Sequence, residues 1–232
     1  MRVSVVIPVY NERGSIVEIV RRVVNTGIPN ELIIVDDCSR DGTAEILRDI
    51  KDGWTDKNCN LVIDSHSRNL GKGAALRSGF QHVTGDVVIV QDADLEYDPK
   101  DYSRLLAPIL DGRADAVYGS RFLGGEHRVL FFWHMVGNKI LTLFSNMLTN
   151  INLSDMETGY KAFRAEIIKN IKLQSNSFGF EPEITAKVVK LGCRIYETSI
   201  SYSGRTYQEG KKINWKDGIA AFWHIIRYNL FS

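Results

Sequence analysis

The sequence is poor in cysteine and has no paired cysteine motif. Its 232 residues include three cysteines, Cys38, Cys59 and Cys193, scattered along the chain. This spacing argues against a disulfide framework and a zinc site, and it fits a reducing compartment. The N-terminus enters an apolar stretch without a charged segment and a cleavage site, so we expect no signal peptide. These absences favour a cytoplasmic protein over a secreted one.

Excess charge, linkers and repeats are also missing. The formal net charge is +1, so the composition does not indicate a nucleic-acid-binding protein. No low-complexity tract or internal repeat interrupts the chain. A chain of this length without a linker is expected to form one domain over residues 1–232.

No apolar run is clean enough to predict a membrane span. Residues 129–148 have the necessary length of roughly 20 residues. However, polar residues such as His134 and Lys139 interrupt the run, and Trp133 suits a membrane interface better than its interior. The run and residues 215–231 are therefore predicted to form amphipathic helices on the inner face of a membrane. Core packing or a dimer interface remain alternatives, so a homo-oligomer is possible.

Apolar strands alternate with helical patterns through the first half of the chain. Short β-branched runs predict strands at 3–9, 32–35, 61–63, 87–90 and 116–118, with helices between them. Such alternation predicts an α/β fold with a mostly parallel central sheet and helices on both faces. Ligands of these sheets bind outside the carboxyl ends of the strands. Polar clusters occupy four such ends, at 10–12, 36–37, 68–73 and 92–96, and we expect them to share one crevice.

The cluster after the fourth strand predicts a metal site. If the backbone stays extended, the side chains of Asp92, Asp94 and Glu96 point to the same side. Three hard oxygen ligands at a strand end suit Mg²⁺ or Mn²⁺, with substrate phosphates completing the shell. The alternative is an acidic turn that caps the helix starting at Pro99.

Nucleotide-binding motifs of other classes are absent. There is no GxGxxG, which favours a metal-bound nucleoside diphosphate over a dinucleotide. The stretch 71–73, Gly-Lys-Gly, lacks the full P-loop spacing. It is equally compatible with a phosphate contact and with a simple start of a helix.

Seven motifs together carry a resemblance to a known family. The chain resembles family 2 glycosyltransferases of the GT-A fold, in the branch that contains dolichol-phosphate mannose synthase and bacterial polyprenyl-phosphate glycosyltransferases. The motifs occur in family order over nearly the whole chain, and that order is more specific than any one of them. They are IPVYNE (7–12), VDDCSRDGT (35–43), NLGKGAALRSGF (69–80), QDADLEYDP (91–99), GSRF (119–122), DMETGYKAF (155–163) and SGRTYQEGKK (203–212).

The resemblance implies roles for residues on the donor side. Asp92, Ala93 and Asp94 are expected to meet the diphosphate and its metal. The family usually has Gln where this chain has Glu96, so the metal preference stays open. The base and ribose of a nucleotide sugar are expected on Pro8, Tyr10, Glu12, Val35 and Asp37.

The resemblance also implies an inverting transfer to a lipid phosphate. Such an acceptor is already ionised, so it needs positioning and charge compensation more than a general base. Arg121, Arg205 and Lys211 match family positions that contact the phosphates, and Arg128 is a further expected contact of the acceptor. Asp94, Arg121 and Arg205 are the predicted catalytic residues.

The sequence thus predicts a metal-dependent enzyme that transfers a hexose from GDP-mannose or UDP-glucose to a polyprenyl phosphate, with mannose as the preferred candidate. Residues 1–120 would bind the nucleotide sugar and residues 121–232 the acceptor. One alternative is transfer to a soluble hydroxyl acceptor, for which Asp155 or Glu157 would be a carboxylate base. Another is a non-catalytic nucleotide-sugar sensor or scaffold.

Overall fold

The strands that the structure describes belong to one sheet. The computed structural model describes residues 1–124, 128–129, 131–177, 179–206 and 215–231. Within them, the seven strands are β1 (Val3–Val9), β2 (Glu31–Asp36), β3 (Asn60–Ser65), β4 (Val87–Val90), β5 (Ala116–Ser120), β6 (Lys161–Arg164) and β7 (Ile195–Ser199). Their order across the sheet is β3-β2-β1-β4-β6-β5-β7.

The sheet is mostly parallel, as predicted. Strands β1 to β4 pair in parallel, and so do β5 and β7. Strand β6 is the exception, because it runs antiparallel to both β4 and β5. This strand comes from the second half of the chain and lies between two strands of the first half. It therefore joins the two halves in one hydrogen-bonded layer.

Helices cover both faces of the sheet, which confirms the predicted architecture. The α-helices are α1 (Ile16–Asn25), α2 (Thr43–Asp52), α3 (Lys72–Gln81), α4 (Tyr102–Leu110), α5 (Phe132–Thr149), α6 (Ala165–Asn170), α7 (Phe180–Lys190) and α8 (Trp215–Leu230). On β1, Val5 and Ile7 face the core built with α1, α2 and α4. Val6 faces the opposite core, with α3, α6, α7 and α8. This two-sided burial explains why the central strands are continuously apolar.

The turn after β4 differs from the expectation. The backbone through residues 92–96 is not extended, so the condition for a shared side-chain direction is not met: the chain turns at Ala93 and Asp94, and Leu95 has φ 64°. The Glu96 amide donates to Asp94 Oδ1 at 3.1 Å. This side-chain to backbone bond stabilises a turn, as aspartates commonly do. Alternation along a strand therefore does not set where these carboxylates point.

Helices α5 and α8 lie side by side and expose large apolar side chains. The rings of Phe144 and Phe222 stack with centroids 4.0 Å apart. An apolar groove of about 490 Å³ runs between the helices, flanked by Ile140 and Trp223. Trp133 is 77% exposed and Trp223 is 58% exposed. Among the residues that the structure describes, none of the helices is both long and apolar enough to span a bilayer.

Candidate active site

Arg205 gathers carboxylates from two strand ends. Its Nη2 lies 3.0 Å from Asp94 Oδ2, and its Nη1 lies 3.4 Å from Glu12 Oε2. Its Nε lies 3.6 Å from Glu96 Oε1, and its backbone amide donates to the same oxygen at 2.8 Å. The structure thus brings together residues up to 193 positions apart. Glu12 follows β1, Asp94 and Glu96 follow β4, and the arginine arrives from the segment after β7.

The carboxylates beside Arg205 are crowded and poorly solvated. Burial, and then the charges of Asp92 and Glu96, raise the pKa of Asp94 to about 7. Arg205 opposes that rise. The turn after β4 is therefore a site of concentrated negative potential that attracts cations.

Lys72 occupies the other side of the same turn. Its Nζ lies 2.9 Å from Asp92 Oδ1 and 3.1 Å from Glu181 Oε1. Burial alone would lower the pKa of Lys72, but the two carboxylates raise it well above its ordinary value. The ammonium group is therefore a fixed positive charge between α7 and the turn. The sequence left open whether Gly-Lys-Gly at 71–73 contacts a phosphate or only starts a helix. In the structure, this stretch begins α3 and places Lys72 in the site.

Arg121 is held by Asp155. The guanidinium makes two bonds of 2.7 Å to the carboxylate, and the Arg121 amide donates a third at 3.1 Å. The Asp155 side chain is fully buried. The guanidinium carbon lies 5.3 Å from the centre of the Tyr202 ring, and the Tyr202 hydroxyl donates to Glu96 at 2.9 Å. Tyr202 therefore connects Arg121 with the cluster around Arg205.

The Asp37 carboxylate is bound by residues of the loop that follows β3. Its Oδ1 accepts the Leu70 amide and contacts His66 Nδ1 at 2.7 Å, while its Oδ2 accepts the Gly71 amide at 2.6 Å. His66 Nε2 in turn lies 2.8 Å from Ser78 Oγ. These contacts fix the loop after β3 against the end of β2. The expected nucleotide contact of Asp37 stays a prediction.

The remaining predicted site residues differ in how far they are exposed. Tyr10 is 37% exposed at the end of β1, whereas Val35 and Ala93 are buried. The Arg128 amide donates to Tyr202 O at 2.8 Å and its Nη1 donates to Gly204 O at 3.3 Å, which places this arginine beside the Arg205 segment. Pro8 is half-buried in β1. Lys211 lies outside the described residues.

The carboxylates fit a divalent cation in type but do not form a closed cage. Within the described ranges, no three His, Cys, Asp or Glu side chains surround one point as metal ligands. Asp92 faces Lys72, and Asp94 and Glu96 face Arg205. Mg²⁺ is commonly held by one or two carboxylates plus phosphate oxygens of the substrate. The arrangement suits that open mode of binding, and the predicted metal role of Asp92, Asp94 and Glu96 stays a prediction.

Sequence reasoning missed the residues that support the site. Glu181 anchors Lys72, His66 contacts Asp37, and Tyr202 joins Arg121 to Glu96. His66 follows β3 directly, so its position at a strand end was a usable signal. Glu181 lies within the first turn of a helix and Tyr202 follows an outer strand. Neither position is marked by a local pattern.

Solved structures place the fold among the GT-A glycosyltransferases. Glucosyl-3-phosphoglycerate synthase from Mycobacterium tuberculosis, in complex with Mn²⁺, UDP and phosphoglyceric acid, superposes with a TM-score of 0.75. The two sequences are 19% identical, and the match covers 100% of this chain and 79% of that one. The same enzyme with Mg²⁺ and UDP gives a TM-score of 0.73 at 20% identity, covering 98% and 79%.

The sequence comparisons define the family. The model of glycosyl transferase family 2 matches residues 4–172, and the chain belongs to that family, so it is a glycosyltransferase. Polyprenol monophosphomannose synthase from Mycolicibacterium smegmatis is 30% identical over 211 residues, which are 88% of this chain and 78% of the relative. Undecaprenyl-phosphate mannosyltransferase from Micrococcus luteus is 29% identical over 256 residues, covering 99% of each.

Proposed function

We propose that this chain transfers a hexose from a nucleoside diphosphate sugar to a polyprenyl phosphate, with inversion at the anomeric carbon. Mannose is the preferred candidate for the hexose. The names of the two mannosyltransferase relatives support the acceptor class and the sugar. The observation that carries the proposal is the convergence of Arg205 on Asp94 and Glu96 beside the anchored Arg121. Two fixed arginines next to an acidic turn suit a reaction between two phosphate-bearing molecules.

In the proposed reaction, an oxygen of the acceptor phosphate attacks the anomeric carbon from the face opposite the diphosphate. The new carbon–oxygen bond forms as the bond to the β-phosphate oxygen breaks, and the electron pair leaves with the nucleoside diphosphate. No proton must be removed, because a phosphate monoester is ionised near neutral pH. Arg121 and Arg205 hold the acceptor anion and reduce its repulsion from the donor.

A divalent cation, Mg²⁺ or Mn²⁺, would be held by Asp92 and Asp94 with the donor's diphosphate. When bound, it supplies charge neutralisation for the departing nucleotide. Asp92 and Asp94 orient that side of the donor, while Lys72 steadies Asp92. Arg205 Nε is buried 3.6 Å from Glu96 Oε1 and makes no hydrogen bond within the part of the chain that the structure describes.

The geometry of Asp155 does not suit a general base for a hydroxyl acceptor. A general base needs a carboxylate oxygen within reach of the proton that it removes. Both oxygens of Asp155 are bound by Arg121, and the carboxylate is fully buried. This residue therefore positions an arginine, which is what a phosphate acceptor requires.

We further propose that α5 and α8 hold the enzyme at a membrane surface, where a polyprenyl phosphate resides. Exposed tryptophan and phenylalanine side chains on both helices suit the interface between headgroups and acyl chains. Phe122 joins this surface to the site, because its ring contacts both Arg121 and Lys139 of α5. The acceptor phosphate would then reach the arginines from the bilayer.

The test is a transfer assay with purified protein. Labelled GDP-mannose and UDP-glucose are incubated separately with Mn²⁺ and a short polyprenyl phosphate in detergent, and label in the organic phase is measured. We expect transfer from one donor, none to the matching polyprenol without phosphate, and loss of transfer with EDTA that Mg²⁺ or Mn²⁺ restores. No transfer from either donor would refute the proposed acceptor.

A further inference from the structure

Glu157 lies between the two halves of the site. Two residues before it, Asp155 binds Arg121. Two residues after it, Gly159 packs so closely on Asp92 and Lys72 that a Cβ there would collide with the Asp92 carboxylate. The loop that carries Glu157 therefore runs from the arginine side of the cleft to its acidic side.

One oxygen of the Glu157 carboxyl group is buried and unpaired among the described residues. The unpaired atom is Oε1. The nearby Lys161 ammonium donates instead to the backbone oxygens of Met156 and Thr158, and the Arg121 guanidinium donates to Asp155 through Nε and Nη2. The residue as a whole is half-buried. A buried polar atom without a partner is unusual in folded proteins and often marks a functional site.

We propose that Glu157 is a specificity-determining residue that hydrogen-bonds a hydroxyl group of the donor's hexose. In an in-line displacement the hexose lies between the leaving diphosphate and the attacking phosphate. Asp92 marks the first position and Arg121 the second, and Glu157 lies on the loop that joins them. The inference rests on the nucleotide-sugar donor of the proposed function and does not depend on the acceptor.

Binding measurements without acceptor test this role. Calorimetry with Mn²⁺ compares GDP with GDP-mannose, and UDP with UDP-glucose, on the wild type, Glu157→Leu and Glu157→Gln. We expect Glu157→Leu to weaken binding of the preferred nucleotide sugar about tenfold and to leave its nucleoside diphosphate unchanged, as loss of one hydrogen bond would. Glu157→Gln keeps a donor and an acceptor at the same length and should retain most of the affinity. Glu166→Gln, an exposed glutamate on α6, is the control.

Thermal unfolding separates a ligand contact from a structural role. Leucine removes an enclosed polar oxygen, so Glu157→Leu should melt at or above the wild-type temperature while losing sugar affinity. Equal weakening of diphosphate and sugar nucleotide, no weakening of either, or no donor binding by the wild type would overturn the inference. A wild type that binds donor but transfers nothing to polyprenyl phosphate would refute the proposed acceptor and leave this role intact.

Discussion

A single guanidinium group organises the acidic part of the site. Arg205 contacts Glu12, Asp94 and Glu96, and these carboxylates are too close and too buried to be stable without a cation. This arrangement therefore already contains the positive charge that a substrate phosphate would need. Binding of a nucleotide and a divalent cation would free the arginine to contact phosphate oxygens.

Replacing Arg205 by alanine should lower kcat/KM for transfer by about 100-fold or more, because a half-buried charge that we propose to contact the phosphates is lost. Steady-state transfer assays measure the effect. Arg48→Ala is the control, since Arg48 makes an exposed pair with Glu45 on α2 and should behave like the wild type. A variant at position 205 that keeps activity within about threefold would contradict the role.

Replacing Asp155 by alanine should reduce the free energy of unfolding by about 3 kcal/mol, because Arg121 is then left buried without its partner. Urea denaturation monitored by tryptophan fluorescence measures this change. The matched control is Asp111→Ala, which breaks an exposed pair with Arg113 and should cost less than about 1 kcal/mol. Equal losses in the two variants would show that the Arg121 pair has no special weight.

At the scale of elements, the loops at the strand ends and the surface formed by α5 and α8 differ in chemical character. Loops after β1, β2, β3 and β4 supply the acidic and glycine-rich groups, and the segment after β7 supplies Arg205. Helices α5 and α8 contribute few charges and many exposed apolar groups. The α5 sequence has no acidic residue and includes Lys139, so this surface is also suited to anionic lipids.

The double variant Trp133→Glu with Trp223→Glu should reduce binding to phosphatidylglycerol vesicles about tenfold, because two exposed aromatic anchors become charged. Co-sedimentation with vesicles measures the bound fraction. Val17→Glu is the matched control, since Val17 is 55% exposed on α1, on the opposite face of the sheet. If both proteins sediment equally, the apolar surface has another partner.

At the scale of the whole molecule, one sheet contains strands from both predicted halves of the chain. The nucleotide-binding half at 1–120 and the acceptor half at 121–232 remain a functional prediction. Structurally, β6 lies between β4 and β5, so neither half has a complete sheet of its own. The loop before β6 then carries Asp155, Glu157 and Gly159 into the middle of the site.

Global stability should depend on pH through Glu157. Burial, and then the charge of Glu181, raise the pKa of Glu157 from 4.5 to about 8. The folded state therefore binds more protons than the unfolded state between these values, and the free energy of unfolding falls as pH rises. Relative to Glu157→Gln, the wild type should lose stability steadily from pH 5 to pH 7. Urea denaturation across that range measures the difference, and a constant difference would contradict the raised pKa.

Features of the site that depend on neighbouring residues in the sequence could be predicted, and features that depend on the course of the folded backbone could not. The strand bounds of β1 and β4 and the polar clusters behind them were read correctly, because burial on both faces leaves an apolar run that ends at a definite residue. The shared orientation expected for Asp92, Asp94 and Glu96 depended on an extended backbone, and that condition is not met. A turn stabilised by Asp94 replaces the extended backbone, and strand alternation says nothing about turns.

The sequence alone determined the α/β class, the mostly parallel sheet and the four polar strand ends, since periodicity and chain direction are local properties. Only the tertiary structure decided which charges meet. Arg205 reaches Asp94 across 111 residues, Lys72 reaches Glu181 across 109, and β6 enters the sheet in reverse. These pairings depend on how helices and strands pack, because contacts between distant residues form only when burial of the two cores brings their elements together.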